Sequence, residues 1–246
     1  MCELLAAVAA DPFRIGDLWD IVDGLERYGQ AAFGWGAAWL TAEGRLVHHV
    51  STAAFRDDAE RHALADLRSR ALMVHLRRPS KLSTIGLPDT QPFIDPDGRF
   101  AFSHNGDLSG SHRVRPRYVA QGRIAGKADS EVGQRWLEDV WAEHELEQTW
   151  PDQAQPDAPD PCRALAALHG EMGGQANLMA LTPKGVTHCY AGNADNPLFR
   201  FRLGDLAVVT TGIHSADRSL FRYVVHGATE RHLIRQGQRY ELIPGA

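Results

Sequence analysis

A fold that mixes α-helices with β-strands is what this chain predicts, and three observations predict it. Apolar runs of strand length recur, among them Cys2 to Ala9, Ala71 to Leu76 and Leu206 to Thr211. Leu18, Ile21, Val22 and Leu25 fall at helical spacing, as do Trp136, Leu137, Val140 and Trp141. From Ala176 onward, short strand-like runs alternate with clusters of Gly, Pro, Asn and Asp, so the second half is strand-rich.

The elements follow in order. Cys2 to Ala9 reads as a buried strand, and the periodic apolar positions place a helix between Asp17 and Tyr28. Phe33 to Leu40 and Arg45 to Val50 read as a hairpin around Thr41-Ala42-Glu43-Gly44, followed by a helix near Asp58 to Arg68 and the strand Ala71 to Leu76. Arg78 to Gln91, with two prolines and a glycine, is a loop. Phe100 to Phe102 is a strand leading into an Asn105-Gly106 turn, and Asp129 opens a helix through Trp141. Gln148 to Pro161 holds four prolines and three aspartates without Leu, Ile or Val, which predicts an exposed acidic connector and no domain boundary. A helix near Arg163 to Met172 comes next. Strands at Ala176 to Leu181, Val186 to Tyr190, Pro197 to Phe201, Leu206 to Thr211 and a terminal pair around Leu233 and Leu242 complete the chain.

Composition narrows the function classes. With 246 residues, 43% hydrophobic and 23% charged, the chain has material for one large core, and one domain over 1–246 is expected. No run approaches the ~20 apolar residues of a membrane span. Leu4 to Ala10 is too short and lacks the basic lead-in of a signal peptide, so a cytoplasmic protein is expected. Three cysteines, Cys2, Cys162 and Cys189, show no CxxC spacing; a disulfide framework and a structural zinc site are not expected, and the latter two read as ordinary thiols. Twelve scattered histidines form no HExxH or Cys/His cluster, and Gly34-Trp35-Gly36 lacks the third glycine of a dinucleotide fingerprint. Neither a metal nor a dinucleotide cofactor is expected. A net charge of −5 argues against a nucleic-acid surface. Arg113, Arg115, Arg117, Arg123 and Lys127 form one basic stretch, read first as a solvated face and second as an attractor for an anionic substrate or partner.

The chemistry-bearing residues begin at position 2. Removal of Met1, which aminopeptidases accomplish before a small residue, makes Cys2 a free N-terminal residue carrying nucleophile and base together. Its α-amine, at about 7.7–8.0, can take the proton of a thiol near about 8.5. Downstream stand His75-Leu76-Arg77-Arg78-Pro79-Ser80, Ser103-His104-Asn105-Gly106-Asp107-Leu108 and Ala128-Asp129-Ser130-Glu131. Thiolate attack on a carboxamide needs donors for the tetrahedral oxyanion and a clamp for the amino-acid end. Asn105 offers a side-chain amide and Gly106 an approachable backbone N–H, so the pair is the candidate oxyanion hole. Arg77 suits an α-carboxylate and Asp129 an α-ammonium. Each block also has a structural reading: a strand edge for His75 and Arg77, a hairpin turn for Asn105-Gly106, a helix N-cap for Asp129. Arg78 is either a second anion contact or a solvated neighbour, and His104 a buttress of its loop.

Taken in this order, Cys2 and the three blocks resemble the class II glutamine amidotransferases, the N-terminal-nucleophile amidohydrolases that release ammonia from glutamine. The resemblance extends through Phe33-Gly34-Trp35-Gly36 and Pro88-Asp89-Thr90-Gln91-Pro92-Phe93, over roughly the first 145 residues. It implies an α+β fold, the four-layer αββα sandwich of N-terminal-nucleophile hydrolases. It also implies the roles just given for Arg77, Asn105-Gly106 and Asp129, with closure of the 78–91 loop over a bound amino acid. Small stand-alone members, including the ergothioneine-pathway γ-glutamyl hydrolase, tend to carry Asn-Thr-His-Pro-Phe where this chain has Asp89 to Phe93. Here Arg78 also follows the clamp arginine. The function expected is hydrolysis of the γ-carboxamide of glutamine through a thioester on Cys2, alone or as the ammonia-donating subunit of a separate synthase. The alternatives are hydrolysis of an N-substituted γ-glutamyl amide and, outside enzymes, a glutamine-sensing or scaffold module.

Overall fold

The computed structural model describes residues 2–29, 31–148, 160–212 and 219–245, with the side chains of 143–148, 219 and 220 outside the description. Twelve strands among these residues form two antiparallel sheets. The first contains β1 (Glu3–Arg14), β2 (Trp35–Leu40), β3 (Leu46–Ser51), β4 (Arg68–Leu76), β9 (Leu198–Leu203), β10 (Leu206–Thr211) and β11 (Thr229–Ile234). The second contains β5 (Phe93–Ile94), β6 (Ala101–Asp107), β7 (Gln175–Leu181), β8 (Thr187–Tyr190) and β12 (Arg239–Leu242). Strand order is β11-β9-β10-β1-β4-β2-β3 in one sheet and β12-β8-β7-β6-β5 in the other.

Alternation along the strands builds the layers. Successive side chains of a strand point to opposite faces, so Leu4, Ala6 and Val8 of β1 face one core and Leu5 and Ala7 another. The first core lies between the two sheets, where Leu4, Ala6, Met73 and Val209 meet Ala101, Met179, Leu181 and Leu242. The second lies outside the first sheet, under α1 (Trp19–Gly29), α2 (Glu60–Ala65) and α6 (Ser219–Val224), with Leu25, Leu64 and Phe221 packed around Trp35 and Phe55. The third lies outside the second sheet, where Phe100, Phe102, Leu178 and Ala180 pack under α3 (Ser111–Ala120), α4 (Asp129–Gln148) and α5 (Pro161–Met172). The sequence of layers is helix, sheet, sheet, helix, as the resemblance implied. Each fully buried Leu, Val or Phe contributes about 1.5–3 kcal/mol, so β1 and β4, covered on both faces, are firmly anchored.

Several sequence expectations need correction. Asn105 and Gly106 are not a turn: β6 continues through Asp107, with Asn105 opposite Asn177 and Gly106 opposite Ala176 on β7. A glycine is required there because φ is +127° and an added Cβ would lie 1.8 Å from the Gln175 carbonyl oxygen. Close approach of a neighbouring strand, and not chain reversal, is what the Asn-Gly signal marked. The first strand runs on to Arg14, a 3₁₀ turn covers Ile15–Leu18, and α1 starts at Trp19. The helix expected over Asp58 to Arg68 shrinks to Glu60–Ala65 because Arg68 already pairs with Arg14. β11 and β12 do not pair with each other; they add to opposite sheets, on β9 and β8. Most of the acidic connector expected at 148–161 lies outside the described residues. No helix among the described residues is long and apolar enough to cross a membrane.

Candidate active site

The position of Cys2 follows from strand pairing. Glu3 of β1 stands opposite Leu76 of β4, so the residue before β1 meets those just after β4. The Arg78 N–H donates to Cys2 Sγ at 3.3 Å, and the Arg78 carbonyl oxygen lies 3.5 Å from the same sulfur. The Cys2 carbonyl is held from the opposite sheet and from the β8–β9 loop: Asn105 Nδ2 donates to it, and Asn196 Nδ2 donates at 3.1 Å. Asn105 Oδ1 in turn accepts from Asn193 Nδ2 at 3.3 Å. The main chain of Cys2 is thus pinned by two side-chain amides.

A cavity of about 670 Å³ opens beside this thiol. Its wall includes Cys2, Arg77, Arg78, Gly106 and Asp129, five of the six site residues drawn from the sequence. Asn105 does not line it; the side chain is fully buried one step behind, on the Cys2 carbonyl. Arg77 is 4% exposed, and while Nη2 donates to the Thr84 carbonyl, Nη1 is buried without a partner. A buried cationic donor left unpaired costs more than 1–3 kcal/mol, so Arg77 carries an unmet demand for an anion. Burial lowers its pKa while Asp89 and Cys2 oppose the shift; a guanidinium remains charged throughout the physiological range.

Asp129 sits at the start of α4, where Oδ1 accepts from the Ser130 N–H at 3.0 Å and Oδ2 from the Leu108 N–H at 2.7 Å. The turn that delivers it is tied down by two other carboxylates. Asp89 accepts from the N–H groups of Lys127 and Ala128, both at 2.6 Å, and Glu131 from those of Ala125 and Gly126, both at 2.8 Å. Gln91 has a structural use: Nε2 donates to Ser130 Oγ at 3.0 Å and Oε1 accepts from the His104 N–H at 2.6 Å. His104 Nδ1 shares a 3.1 Å hydrogen bond with the same Ser130 hydroxyl. Burial lowers the His104 pKa, which suits the buttress read from sequence better than a proton carrier. Burial likewise pushes His75 down to about 3, leaving a neutral imidazole behind the site.

Two features escaped sequence reasoning. Glu3, next to Cys2, is fully buried, accepts from Thr211 Oγ1 and from Asn196 Nδ2 at 3.4 Å, and burial raises its pKa to about 8. Asn193 and Asn196 come from a segment whose Asn, Asp and Pro content signals only a turn. The basic stretch is also rearranged. Arg113 to Arg117 lie on α3, a helix that the Arg-rich run with Pro116 did not announce. Arg117 and Arg123 pair with Asp139 at 2.9 and 2.7 Å, Arg123 also with Glu138, and Arg113 donates to the Glu171 carbonyl. Arg115 and Lys127 alone of this stretch line the cavity.

Electrostatically, burial raises the Cys2 pKa against the opposing hydrogen bond from Arg78 and the charge of Arg77. Burial thus favours the protonated sulfur, whose hydrogen-bond contacts among the described residues are to the Arg78 main chain.

A family model for class II glutamine amidotransferases matches residues 1–195. No curated protein matches. Among solved structures, the chain is similar to glutamine phosphoribosylpyrophosphate amidotransferase from B. subtilis in complex with ADP and GMP, with a TM-score of 0.68 and 16% identity over 98% of this chain and 47% of that one. The allosteric regulatory enzyme of purine biosynthesis gives a TM-score of 0.71 and 16% identity, covering 98% of this chain and 46% of that one. A class II glutamine aminotransferase domain protein from Silicibacter pomeroyi gives a TM-score of 0.59 and 17% identity, covering 98% and 94%. The chain spans about half the length of the first two. At these identities the structures speak for the fold, and the family rests on the model that spans most of the sequence: the chain belongs to the class II glutamine amidotransferases.

Proposed function

We propose that this chain hydrolyses γ-glutamyl amides, glutamine first among them, through a thioester on Cys2. The observation that carries the reading is the unpartnered, buried Nη1 of Arg77 in the same cavity as the Cys2 thiol. A planar guanidinium takes an α-carboxylate bidentately, and Asp129 on the same wall complements an α-ammonium. With both ends of the amino acid held, the γ-carboxamide extends towards Cys2.

The α-amine of Cys2 takes the thiol proton, and the thiolate attacks the carbonyl carbon of the γ-carboxamide. The oxyanion is met by the N–H of Gly106 on the cavity wall and by the Asn105 amide, which at rest lies one step behind on the Cys2 carbonyl and turns to the oxyanion as it forms. The C–N bond breaks as the amine proton passes to the leaving nitrogen, giving ammonia and a γ-glutamyl thioester. Water then attacks the thioester, releasing glutamate and restoring the thiol.

A second reading, in which the leaving nitrogen carries a substituent, is favoured by the size and charge of the cavity. Its roughly 670 Å³ lies in the range of about 300–1,000 Å³ that holds drug-sized ligands. Arg78, Lys81 and Lys127 are exposed on its wall. Use as an ammonia-donating subunit keeps the same chemistry and differs only in the fate of the nitrogen. The test is glutamate release from glutamine and from a panel of N-substituted γ-glutamyl amides, with wild type and Cys2→Ala, alongside intact mass of the active protein. Expected is Met1-free protein, a glutamyl adduct on rapid quenching and no turnover by Cys2→Ala. Active protein bearing only intact Met1, or normal turnover by Cys2→Ala, overturns the mechanism; failure of every γ-glutamyl amide with properly trimmed protein favours the sensing or scaffold reading.

A further inference from the structure

Away from the cavity, the start of α5 meets the edge of the second sheet, and four side chains converge there: Asp160, Cys162, His188 and Glu241, whose donor atoms all lie within 4.8 Å of one another. They come from three separate parts of the chain. Asp160 precedes α5 and Cys162 is its second residue; His188 is on β8, and Glu241 stands directly across from it on β12. No spacing motif marks the set, which is why the sequence predicted no metal.

We infer that these four residues form a structural zinc site that clamps the beginning of α5 and the last strand to the second sheet. The donors are of the right kind, since a thiolate and an imidazole with two carboxylates suit zinc, whereas magnesium and calcium take oxygen alone. Zinc bonds of about 2.3 Å to sulfur and about 2.0–2.2 Å to nitrogen and oxygen put tetrahedral neighbours about 3.3–3.7 Å apart. Cys162 Sγ and His188 Nδ1 are 3.7 Å apart, and His188 Nδ1 and Glu241 Oε1 are 3.1 Å apart, so small side-chain adjustments suffice.

Burial and charge agree with this assignment. Cys162 and His188 are 3% and 7% exposed, which keeps the soft donors dry, while the Glu241 side chain, 43% exposed, leaves a way in for the ion. Without a cation, two carboxylates crowd a buried sulfur that gains only long contacts of 3.6–3.7 Å. Outer partners are already in place: Arg239 and Arg163 approach Asp160 Oδ2 at 3.4 and 3.6 Å, and Asp160 Oδ1 accepts the Cys162 N–H at 2.9 Å. Such groups orient ligands and hold them for the metal. On binding, the Cys162 thiol proton goes to solvent and the imidazole keeps its proton on Nε2. Four protein ligands leave no open position, which marks a structural centre and not a catalytic one.

The experiment uses the full chain carrying Cys2→Ala, which removes the thiol that opens on the cavity, stripped with a chelator and titrated with Co²⁺ and then Zn²⁺. Expected are one Co²⁺ per chain, a thiolate-to-cobalt charge-transfer band with intense tetrahedral visible bands, displacement by Zn²⁺, and a higher Tm with zinc. Adding Cys162→Ala should abolish the charge-transfer band. Glu241→Gln, at a half-exposed carboxylate, should weaken zinc by at least about 10-fold with the metal-free melt unchanged. Absence of saturable Co²⁺ binding, a Cys162→Ala spectrum identical to its parent, or unchanged zinc affinity in Glu241→Gln overturns the site.

Discussion

Cys2 and Cys162 are both thiols in protein surroundings, and in both burial raises the pKa. The company each keeps is opposite. Cys2 is approached by the Arg78 N–H and by the charge of Arg77, both of which favour the thiolate, and opens on a cavity. Cys162 faces Asp160 and Glu241, and burial, joined by these two carboxylates, pushes it up to about 12. The difference teaches that burial alone does not sort cysteines into reactive and inert. The sign of the neighbouring charge does: a cationic setting releases a nucleophile on demand, whereas an anionic one holds the thiol neutral until a metal, or nothing, takes it.

The sharpest break of this comparison is chemical. Cys2→Ala should reduce turnover by on the order of 10⁴–10⁶-fold, the range seen when members of a catalytic triad are removed, while Cys162→Ala and Cys189→Ala leave kcat per folded molecule within a few fold. Iodoacetamide at neutral pH should label Cys2 first, as read by peptide mass spectrometry. Faster labelling of Cys162 would reverse the electrostatic ranking.

Asn105 sharpens the Cys2 side next. As an oxyanion donor its replacement by alanine should lower kcat by roughly 10²–10³-fold. The structure adds a control that the sequence lacked, because Asn196 holds the same Cys2 carbonyl at 3.1 Å. Asn196→Ala should cost clearly less in kcat. Equal losses in the two variants would make Asn105 an anchor of the main chain and leave the oxyanion to other donors.

Arg77→Ala should mainly raise KM, by roughly 10- to 100-fold for a lost charge-assisted contact of about 1.5–3 kcal/mol, with kcat little changed; Asp129→Ala should act in the same direction. A fall in kcat at constant KM would move Arg77 from clamping substrate to supporting the thiolate. Glu3 gives a pH test of the same region. Its folded pKa of about 8 stands above the ordinary 4.5, so the folded state holds a proton that the unfolded chain has lost between these values. Stability therefore declines as pH rises through this window and levels off above about 8. Glu3→Gln should flatten the dependence of the urea midpoint on pH between 5 and 8. An unchanged slope would mean that Glu3 is ionised in the fold.

How much of this was legible beforehand differs by residue. The paired strands β1 and β4 and the β2–β3 hairpin could be read because alternation and turn residues are local signals. Cys2, Arg77, Gly106 and Asp129 could be read because their chemistry is specific and they sit in short blocks. Asn193, Asn196 and Thr211 could not: Asn196 meets the Cys2 carbonyl and Thr211 meets Glu3 from about two hundred residues along the chain, Thr211 by the pairing of β10 beside β1, while Asn193 acts through Asn105 of the other sheet. α3 was hidden by Pro116 and by the lack of an apolar stripe, for only Ser111 and Tyr118 are buried, while its arginines are held by tertiary pairs to Asp139 and to backbone carbonyls. The Asn-Gly pair shows the reverse failure, a strong turn signal overridden because β7 supplied partners for both residues.

The smallest expected effect concerns Arg78, whose two parts act differently. Its N–H already donates to the Cys2 sulfur, an interaction that survives any change of side chain. Its guanidinium is exposed, lines the cavity, and has no hydrogen-bond or ionic partner among the described residues. A side chain with no internal role but a place on the wall of the site can discriminate only through what the substrate brings. A partly solvated contact to an anionic group on the leaving amine is worth less than a desolvated one, so Arg78→Ala should change the ratio of kcat/KM for a carboxylate-bearing γ-glutamyl amide over glutamine by roughly 10-fold. Both substrates should be measured at two ionic strengths, because a contact through an exposed charge weakens as salt rises. A ratio that is unchanged by the substitution and insensitive to salt would assign the leaving-group side to the remainder of the 78–91 loop and return Arg78 to the solvated surface.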